Sequence, residues 1–522
     1  MAHCGSRDHQ HRGSRRRRAG NVGSGLIATI GAFTSRFGGD RPYLNRGVQL
    51  AVVSVALAAA VAVGCWAAEV PWLGVPVVSA VAVAAVWLCN ALAVGPPGAY
   101  VFALACAAGV GVSAQHLAPW QTGALVLSGG AVAWLVQMAG ALRGRLRPER
   151  AALSAAGAAV ASYVEAVGSP SELAARHRAA TALHQAWNAL ISFQLVEHSD
   201  GTLQRLRAVN HALHVVFTDS MSTATVGGVP PPDAAATARR IASLELAPET
   251  VATRDIGRVP LGPASSADRS RTLRRGADRL SGTWVGLALA ASILWLHPQG
   301  LWLALILAVP QLVIEMLVVR HYGLASVFIT AAALTIATGT RHVDIVELLL
   351  ARGSDTLVGC AVGVTVFLVT SRFQESTRLV DSIADAPDAA AATSAHLAVD
   401  TSTLAARTAR RDLQLAAIDL RDAADAAEAV SGPLRATGQR LEPAVLVTEH
   451  IAYGTITACW QMEKHESGPL LGPADALAYR RQLHGLAVAL RTAVPPPDLD
   501  ACPDFLAADV TALCAALRQN SR

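Results

Sequence analysis

The sequence predicts an all-α, polytopic membrane protein: two apolar blocks of four transmembrane helices, arranged as a parallel repeat, each followed by a polar helical domain. Three observations carry that prediction. Only 16% of the 522 residues are charged while 52% are hydrophobic, against about 25% charged in ordinary soluble domains. The deficit is concentrated, because residues 47–142 hold one formal charge, Glu69, and residues 280–371 are nearly as apolar. The stretches 143–272 and 373–522 are polar, with apolar residues at helical spacing.

This composition excludes a disordered, collagen-like or small disulfide-stapled chain and argues against a purely soluble enzyme. The eight cysteines form no CxxC pair, and four lie in apolar stretches. They read as small buried residues, so no metal and no cofactor are expected. The net charge is +5, but Lys464 is the sole lysine among 43 basic residues. That arginine and alanine excess reads as coding bias, and no nucleic-acid partner is inferred from it.

Residues 1–21 form a basic tail containing Arg15 to Arg18. No apolar core follows directly, so it is not a cleavable signal peptide. The first block, 22–142, opens with the apolar stretch Gly25 to Phe33. A spanning helix needs about 20 apolar residues, so this piece (22–37) is expected to be a half-helix packed on the bundle. Breakers at Pro71, at Gly95-Pro96-Pro97-Gly98 and at Pro119 then divide the block into spans near 47–67, 71–93, 98–117 and 121–142. The second block, 273–372, divides at His297 to Gly300, at Arg320-His321 and at Arg341 to Glu347. Its spans lie near 280–296, 301–319, 321–339 and 351–371. Backbone polar groups must be satisfied within the segment in lipid, which selects helices.

The arginines set an orientation. Arg41, Arg46, Arg143, Arg145, Arg147, Arg150, Arg271, Arg274, Arg275, Arg279 and Arg372 all fall on one side if each block has four spans. That side is cytoplasmic, which places both polar domains and the N-terminus in the cytoplasm of a plasma (inner) membrane protein. Trp66, Trp72, Trp120, Trp295 and Trp302 fall at the opposite interface, where amphipathic rings are favoured.

Matching pairs recur at a near-constant offset: Leu44 to Gly47 with Leu273 to Gly276, Trp72-Leu73 with Trp302-Leu303, and Val101-Phe102 with Val327-Phe328. Their common order predicts a duplication, a plan in which substrate sits between the halves. In the polar stretches, Leu173, Leu183, Trp187, Leu190 and Leu195 recur at helical intervals. Residues 388–430 read as one long Ala/Asp/Arg-rich helical pattern. The runs Gly227 to Pro232 and Pro495 to Pro497 are breakers. The two polar domains are placed to pack together, since each follows its block in the same position.

The chain lacks GxxxxGK[ST], HExxH and GxSxG, so no ATP-driven step, hydrolysis or group transfer is expected. The sharpest feature is Glu315 inside the sixth span, because an intramembrane carboxylate is costly. Gln311 lies four residues earlier on the same face, and Pro310 removes a backbone hydrogen bond there. A carboxylate beside such a kink is suited to coupling proton flow to substrate movement. The plainer reading pairs Glu315 with Arg320 at the inner interface. Arg320 is either a snorkelling anchor or a bidentate carboxylate ligand. Arg352 and Asp355 share one face of the eighth span and read first as a mutual ion pair. Arg275 and Arg279 precede Gly282-Thr283 and Gly286, and either draw anions to the inner mouth or only set topology. Glu69, Asn90, His116 and Gln137 read as interhelical hydrogen-bond partners.

Three of these stretches together resemble a known family. Residues 272–286 (TLRRGADRLSGTWVG) are similar to its "R..QR..GT..G" opening, residues 320–330 (RHYGLASVFIT) to its "RNYALA..FLT" motif, and residues 352–359 (RGSDTLVG) to its "R..DTL.G" motif. They are those of the fusaric acid resistance protein-like family, which includes aromatic acid exporters and is related to plant malate transporters. The resemblance is strong over 270–372, weaker over 22–142, and fades in both polar domains. It implies a plasma-membrane transporter exporting small organic or aromatic acids on the proton gradient. It also implies roles for Arg275, Arg279, Gly282, Thr283, Arg320, Tyr322, Arg352 and Asp355, whereas Glu315 rests on the membrane argument alone. One departure is visible: the further hydrophobic helix that opens each half in the family has no counterpart before residue 22 or between 230 and 271.

Three functional classes follow. The first is a proton-coupled exporter of small anionic acids, the second a passive organic-anion channel, and the third a non-transporting membrane scaffold acting through its helical domains. The expected partners are the lipid bilayer, a small anionic substrate and further copies of the chain.

Overall fold

The structure, a computed structural model, describes residues 25–520 except 26, 40, 71, 92–97, 113–116, 195–200, 226, 244–269, 296–308, 311, 312, 314–316, 318–321, 339–344, 430–432, 466–468, 493 and 497–503. Every regular element among the described residues is helical. They divide into two compact units. One holds 27–266 with 379–425 and 436–522, and the other centres on 267–378.

The first unit begins with an apolar bundle. Its helices are α1 (Tyr43–Ala67), α2 (Gly74–Ala91), α3 (Tyr100–Val112) and α4 (Pro119–Ala139). Pro119 opens α4, where a helix tolerates proline, and Gly98 adopts φ +65 in the turn before α3, a left-handed conformation that suits a residue without Cβ. Among the described residues, two helices are long and apolar enough to cross a bilayer, Tyr43–Ala67 and Pro119–Arg143. The apolar parts of α2 and α3 within the described residues are shorter.

Helices α1 and α3 cross at backbone contact. A Cβ on Gly64 would lie 2.0 Å from the Cys106 carbonyl oxygen, and one on Gly109 would lie 2.2 Å from that of Val61. Small residues at such crossings are how helices gain packing in lipid. A short apolar segment precedes α1. Residues 27–32 are helical, a 3₁₀ turn follows at Phe33–Arg36, and Ile27 and Phe37 are buried. It packs against α4 so closely that a Cβ on Gly129 would meet the Ala28 oxygen at 1.8 Å. Buried Arg46 holds the end of this piece, donating from Nε to the Gly38 oxygen at 2.7 Å and from Nη2 to the Gly39 oxygen.

The bundle's outer surface is apolar: Val48, Val52, Val55, Val83, Val132 and Val136 are all exposed. An apolar surface of that extent is a liability in water and is solvated by lipid. Trp66, Trp72 and Trp120, at the α1/α2 and α3/α4 ends, are 53%, 73% and 72% exposed.

The rest of this unit is a water-soluble type of helical core. Its helices are α5 (Arg147–Ala166), α6 (Glu172–Trp187, continued by a π turn Asn188–Ser192), α7 (Thr202–Thr225) and α8 (Ala234–Ala242). Beyond the second block it continues with the end of α11 (Ile345–Leu397), then α12 (Leu404–Ala429), α13 (Pro433–His465), α14 (Pro473–Thr492) and α15 (Ala507–Asn520). The two polar stretches share one hydrophobic core, in which Leu153, Leu183 and Leu213 join Leu413, Ile451 and Leu483. Its deepest polar tie is Glu449. Arg421 donates to both carboxylate oxygens at 2.7 Å, and Arg176 donates to the same group from α6. Burial pulls the Arg421 pKa down, and hydrogen-bonded Glu449, with Glu442 and Asp425, more than reverses it, leaving it raised.

Two readings of the polar stretches need correction. The pattern 388–430 is not one helix: α11 ends at Leu397 and α12 begins at Leu404. The Asp400 carboxylate accepts from the Ser402 N–H at 2.7 Å, and Thr403 Oγ1 accepts from the Ala406 N–H at 3.2 Å. Such side-chain bonds stop one helix and cap the next. Leu183, Trp187 and Leu190 are buried as expected, but Leu173 is 37% exposed in the first turn of α6, and Leu195 lies outside the described residues.

The second unit contains α9 (Ser270–Trp295), α10 (Tyr322–Thr338) and the first part of α11 (Ile345–Leu397). Helix α11 continues through Arg372, where the change from apolar to polar side chains suggested an end. Polarity alone does not interrupt a helix, since no glycine or proline occurs near that point.

Candidate functional site

The three motif stretches of the second block fall on three helices, and α9 packs against each of the other two. Gly282, Thr283 and Gly286 lie on α9, and all three are buried. Gly286 is the point of closest approach to α10: a Cβ there would lie 2.6 Å from the Val327 oxygen and 2.7 Å from Thr330 Cβ. The first and second motifs therefore meet at this crossing. Leu287 and Ala290 of α9 close it with Ala331 and Leu334 of α10.

The first and third motifs meet as well. A Cβ on Gly353 of α11 would lie 3.3 Å from the Trp284 ring. Around that contact is an open groove of about 530 Å³, lined by Trp284, Leu287 and Ala291 of α9 and by Leu350, Gly353 and Val358 of α11. It is almost entirely apolar, with Ser354 as a polar side chain on its wall. Trp284 is half exposed, so its ring face is available to a ligand. A volume of this order suits a small organic molecule.

The expected site residues distribute as follows. Asp355 is exposed on α11, two residues from Gly353. Tyr322 is the first residue of α10, Arg352 lies on α11, and Arg275 and Arg279 lie on α9, but their side chains are outside the described residues. Glu315, Gln311 and Arg320 lie outside the described residues altogether, as does His116. Pro310 is helical and buried. Gln137 does make a cross-segment bond, donating from Nε2 to the Ser35 oxygen at 2.8 Å. Glu69 is exposed beyond the end of α1. Asn90 lies on α2, and its side chain is not described.

The groove residues Trp284, Leu287 and Gly353 were not singled out from the sequence. Trp284 and Gly353 lie inside the motif stretches, between the residues named there. Among the described residues no three ligating side chains cluster as a metal site would require.

Helices with an outward apolar girdle, interfacial tryptophans and glycine-mediated crossings define a helical membrane protein. Comparison with known proteins agrees. Residues 264–366 match the family described as fusaric acid resistance protein-like, the same stretch in which the three motifs carry the resemblance. The chain is also 24% identical to the uncharacterized membrane protein YvaC of Bacillus subtilis (strain 168), over 456 residues covering 70% of this chain and 71% of the relative. No solved structure matches the chain.

Proposed function

We propose that this chain is a membrane transporter that exports small organic acids, aromatic ones among them, from the cytoplasm across the plasma membrane. The observation that supports the reading is the meeting of the first and third motif stretches at the α9/α11 groove, with the second packed on α9 at Gly286. An apolar slot beside a half-exposed tryptophan suits an aromatic ring. Arg352 and Asp355 sit on the helix that lines it, where a carboxylate end would need polar partners. Glu315, an acid within an apolar run, is the proposed proton-coupling group.

The orientation proposed has both polar stretches in the cytoplasm. It is supported at one point: the Arg41 guanidinium, just before α1, stacks on the Phe193 ring of the polar core at 4.4 Å. The positive entry to the bundle and the polar core are thus at the same end.

The test is uptake of labelled hydroxybenzoate into inside-out vesicles containing the protein, with and without a proton gradient. Gradient-driven uptake that falls at least tenfold in Glu315→Gln, and in Gly353→Leu, which fills the groove, is the expected result. Uptake indifferent to gradient and to Glu315→Gln identifies a channel. No uptake of any acid by folded protein removes transport and leaves the scaffold.

A further inference from the structure

Arginines gather where the apolar bundle gives way to the polar core, and only some of them have work inside the fold. Arg46 is buried and holds the Gly38 and Gly39 oxygens, and Arg41 stacks on Phe193. Arg143, Arg145, Arg147 and Arg150 differ. All four are exposed, and their side chains make no hydrogen bond, ion pair or ring contact among the described residues. Glu149, the acidic residue of this stretch, does not neutralise them. It is buried, and its Oε1 accepts from Gln194 Nε2 at 3.2 Å. The outward face of the stretch is therefore uniformly positive.

The segment that carries the four arginines is a fixed turn. Helix α4 is extended by a 3₁₀ turn at Gly140–Arg143, and α5 begins at Arg147. Gly140 is seated against the Tyr43 hydroxyl at the start of α1. The Gly144 N–H donates to the Ala141 oxygen at 3.2 Å, and the Arg147 N–H donates to the Gly144 oxygen at 3.3 Å. Leu146 packs against the hydrophobic core of the polar stretches. Arg147 and Arg150 then lie one turn apart on the same face of α5. A backbone held in this way is already ordered, so a partner has only the side chains left to immobilise.

The position of the turn selects the partner. Pro119–Arg143 is long and apolar enough to cross a bilayer, and exposed Trp120 marks its far end. Arg143 thus stands where hydrocarbon gives way to headgroups. Leu142, beside it, is 91% exposed. An apolar side chain next to a row of guanidinium groups fits the boundary between acyl chains and phosphates, and would serve no purpose toward a soluble anion. A guanidinium also accepts two phosphate oxygens at once. We propose that Arg143, Arg145, Arg147 and Arg150 form a binding surface for anionic phospholipid headgroups, with Leu142 inserted among the acyl chains beneath. Setting topology requires only positive charge on one side of the membrane. This surface goes further, binding lipid saturably and by headgroup class, and so ties the seam between bundle and polar core to the membrane surface. It needs the bundle to lie in a bilayer and does not rest on the transport reading.

The experiment uses the full chain purified in a non-ionic detergent. Phosphatidylglycerol, phosphatidylcholine and soluble glycerol 3-phosphate are titrated separately, with native mass spectrometry and thermal unfolding as readouts. Saturable binding of phosphatidylglycerol with a rise in Tm is expected, and neither of the other two should match it. The double variant Arg143→Gln/Arg147→Gln should weaken phosphatidylglycerol binding about twentyfold, at about fivefold for each arginine. Arg205→Gln/Arg240→Gln removes the same charge from exposed positions on the polar core and should leave the affinity within about twofold. Leu142→Ser, which alters no charge, should weaken it about fivefold and serves if the arginine pair does not fold. Equal binding of phosphatidylcholine, equal affinity for glycerol 3-phosphate, or an equal loss in the two double variants would overturn the assignment. The last of these would reduce the effect to net charge.

Discussion

The apolar bundle α1–α4 and the helical core of α5–α8 and α12–α15 are both alanine-rich and both helical, yet they are held together by opposite means. In the bundle, helices meet backbone to backbone at Gly64 and Gly109, and the large side chains Val48, Val55 and Val132 point outward. In the core, large side chains point inward, and arginines reach across to Glu449 and Glu463. The difference follows from the solvent each faces. A side chain gains little by moving from lipid to a helix surface, so close approach must supply the packing. In water, burial itself supplies the driving force, and a buried charge is tolerated where it is paired.

This contrast can be broken at either end. The largest effect is expected at Glu449. Replacing it with alanine strands two buried guanidinium groups and should cost about 3–5 kcal/mol of core stability, read as a shifted chemical denaturation midpoint. Gly64→Leu should act on the bundle instead. Overpacking of this kind typically costs about 1–3 kcal/mol, and with a backbone oxygen 2.0 Å from the new Cβ the upper end is expected. Its readout is thermal stability and size-exclusion behaviour in detergent, with the Glu449 contact intact. A smaller effect, about 1 kcal/mol, is expected for Thr403→Ala, which removes the oxygen that caps α12.

Acid should sharpen the same comparison. Burial lowers the pKa of His184 to about 4 and that of His214 to about 3, against about 6.5 in an unfolded chain. Below 6.5 the unfolded chain takes up protons that the folded core refuses, so stability falls with pH from about 6.5 down to about 4, and further for His214. The bundle has no such pair among its described residues. Thermal unfolding across this range should show the loss, and His214→Phe should flatten it.

The bundle was legible because prolines and glycines punctuate a nearly uncharged sequence, and such breakers act locally. The α11/α12 break was written just as locally, in Asp400 to Thr403, but a helix-favouring composition on both sides concealed it. The Glu449 node was not legible: its partner Arg176 is 273 positions away, and no local pattern marks a pairing made only by tertiary packing. At the groove the motifs directed attention to arginines, whereas the described contacts are made by Trp284 and Gly353, whose importance lies in how closely two helices pass.

The reciprocal seating of Gly64 on Cys106 and Gly109 on Val61 works as a two-point key. Turning α3 or sliding it by one position would drive a methyl or isopropyl group into a peptide carbonyl, so the pair has one permitted alignment. That half of the bundle is thereby indexed like a gear with one meshing position, and any cycle of shape change must place its moving joints elsewhere.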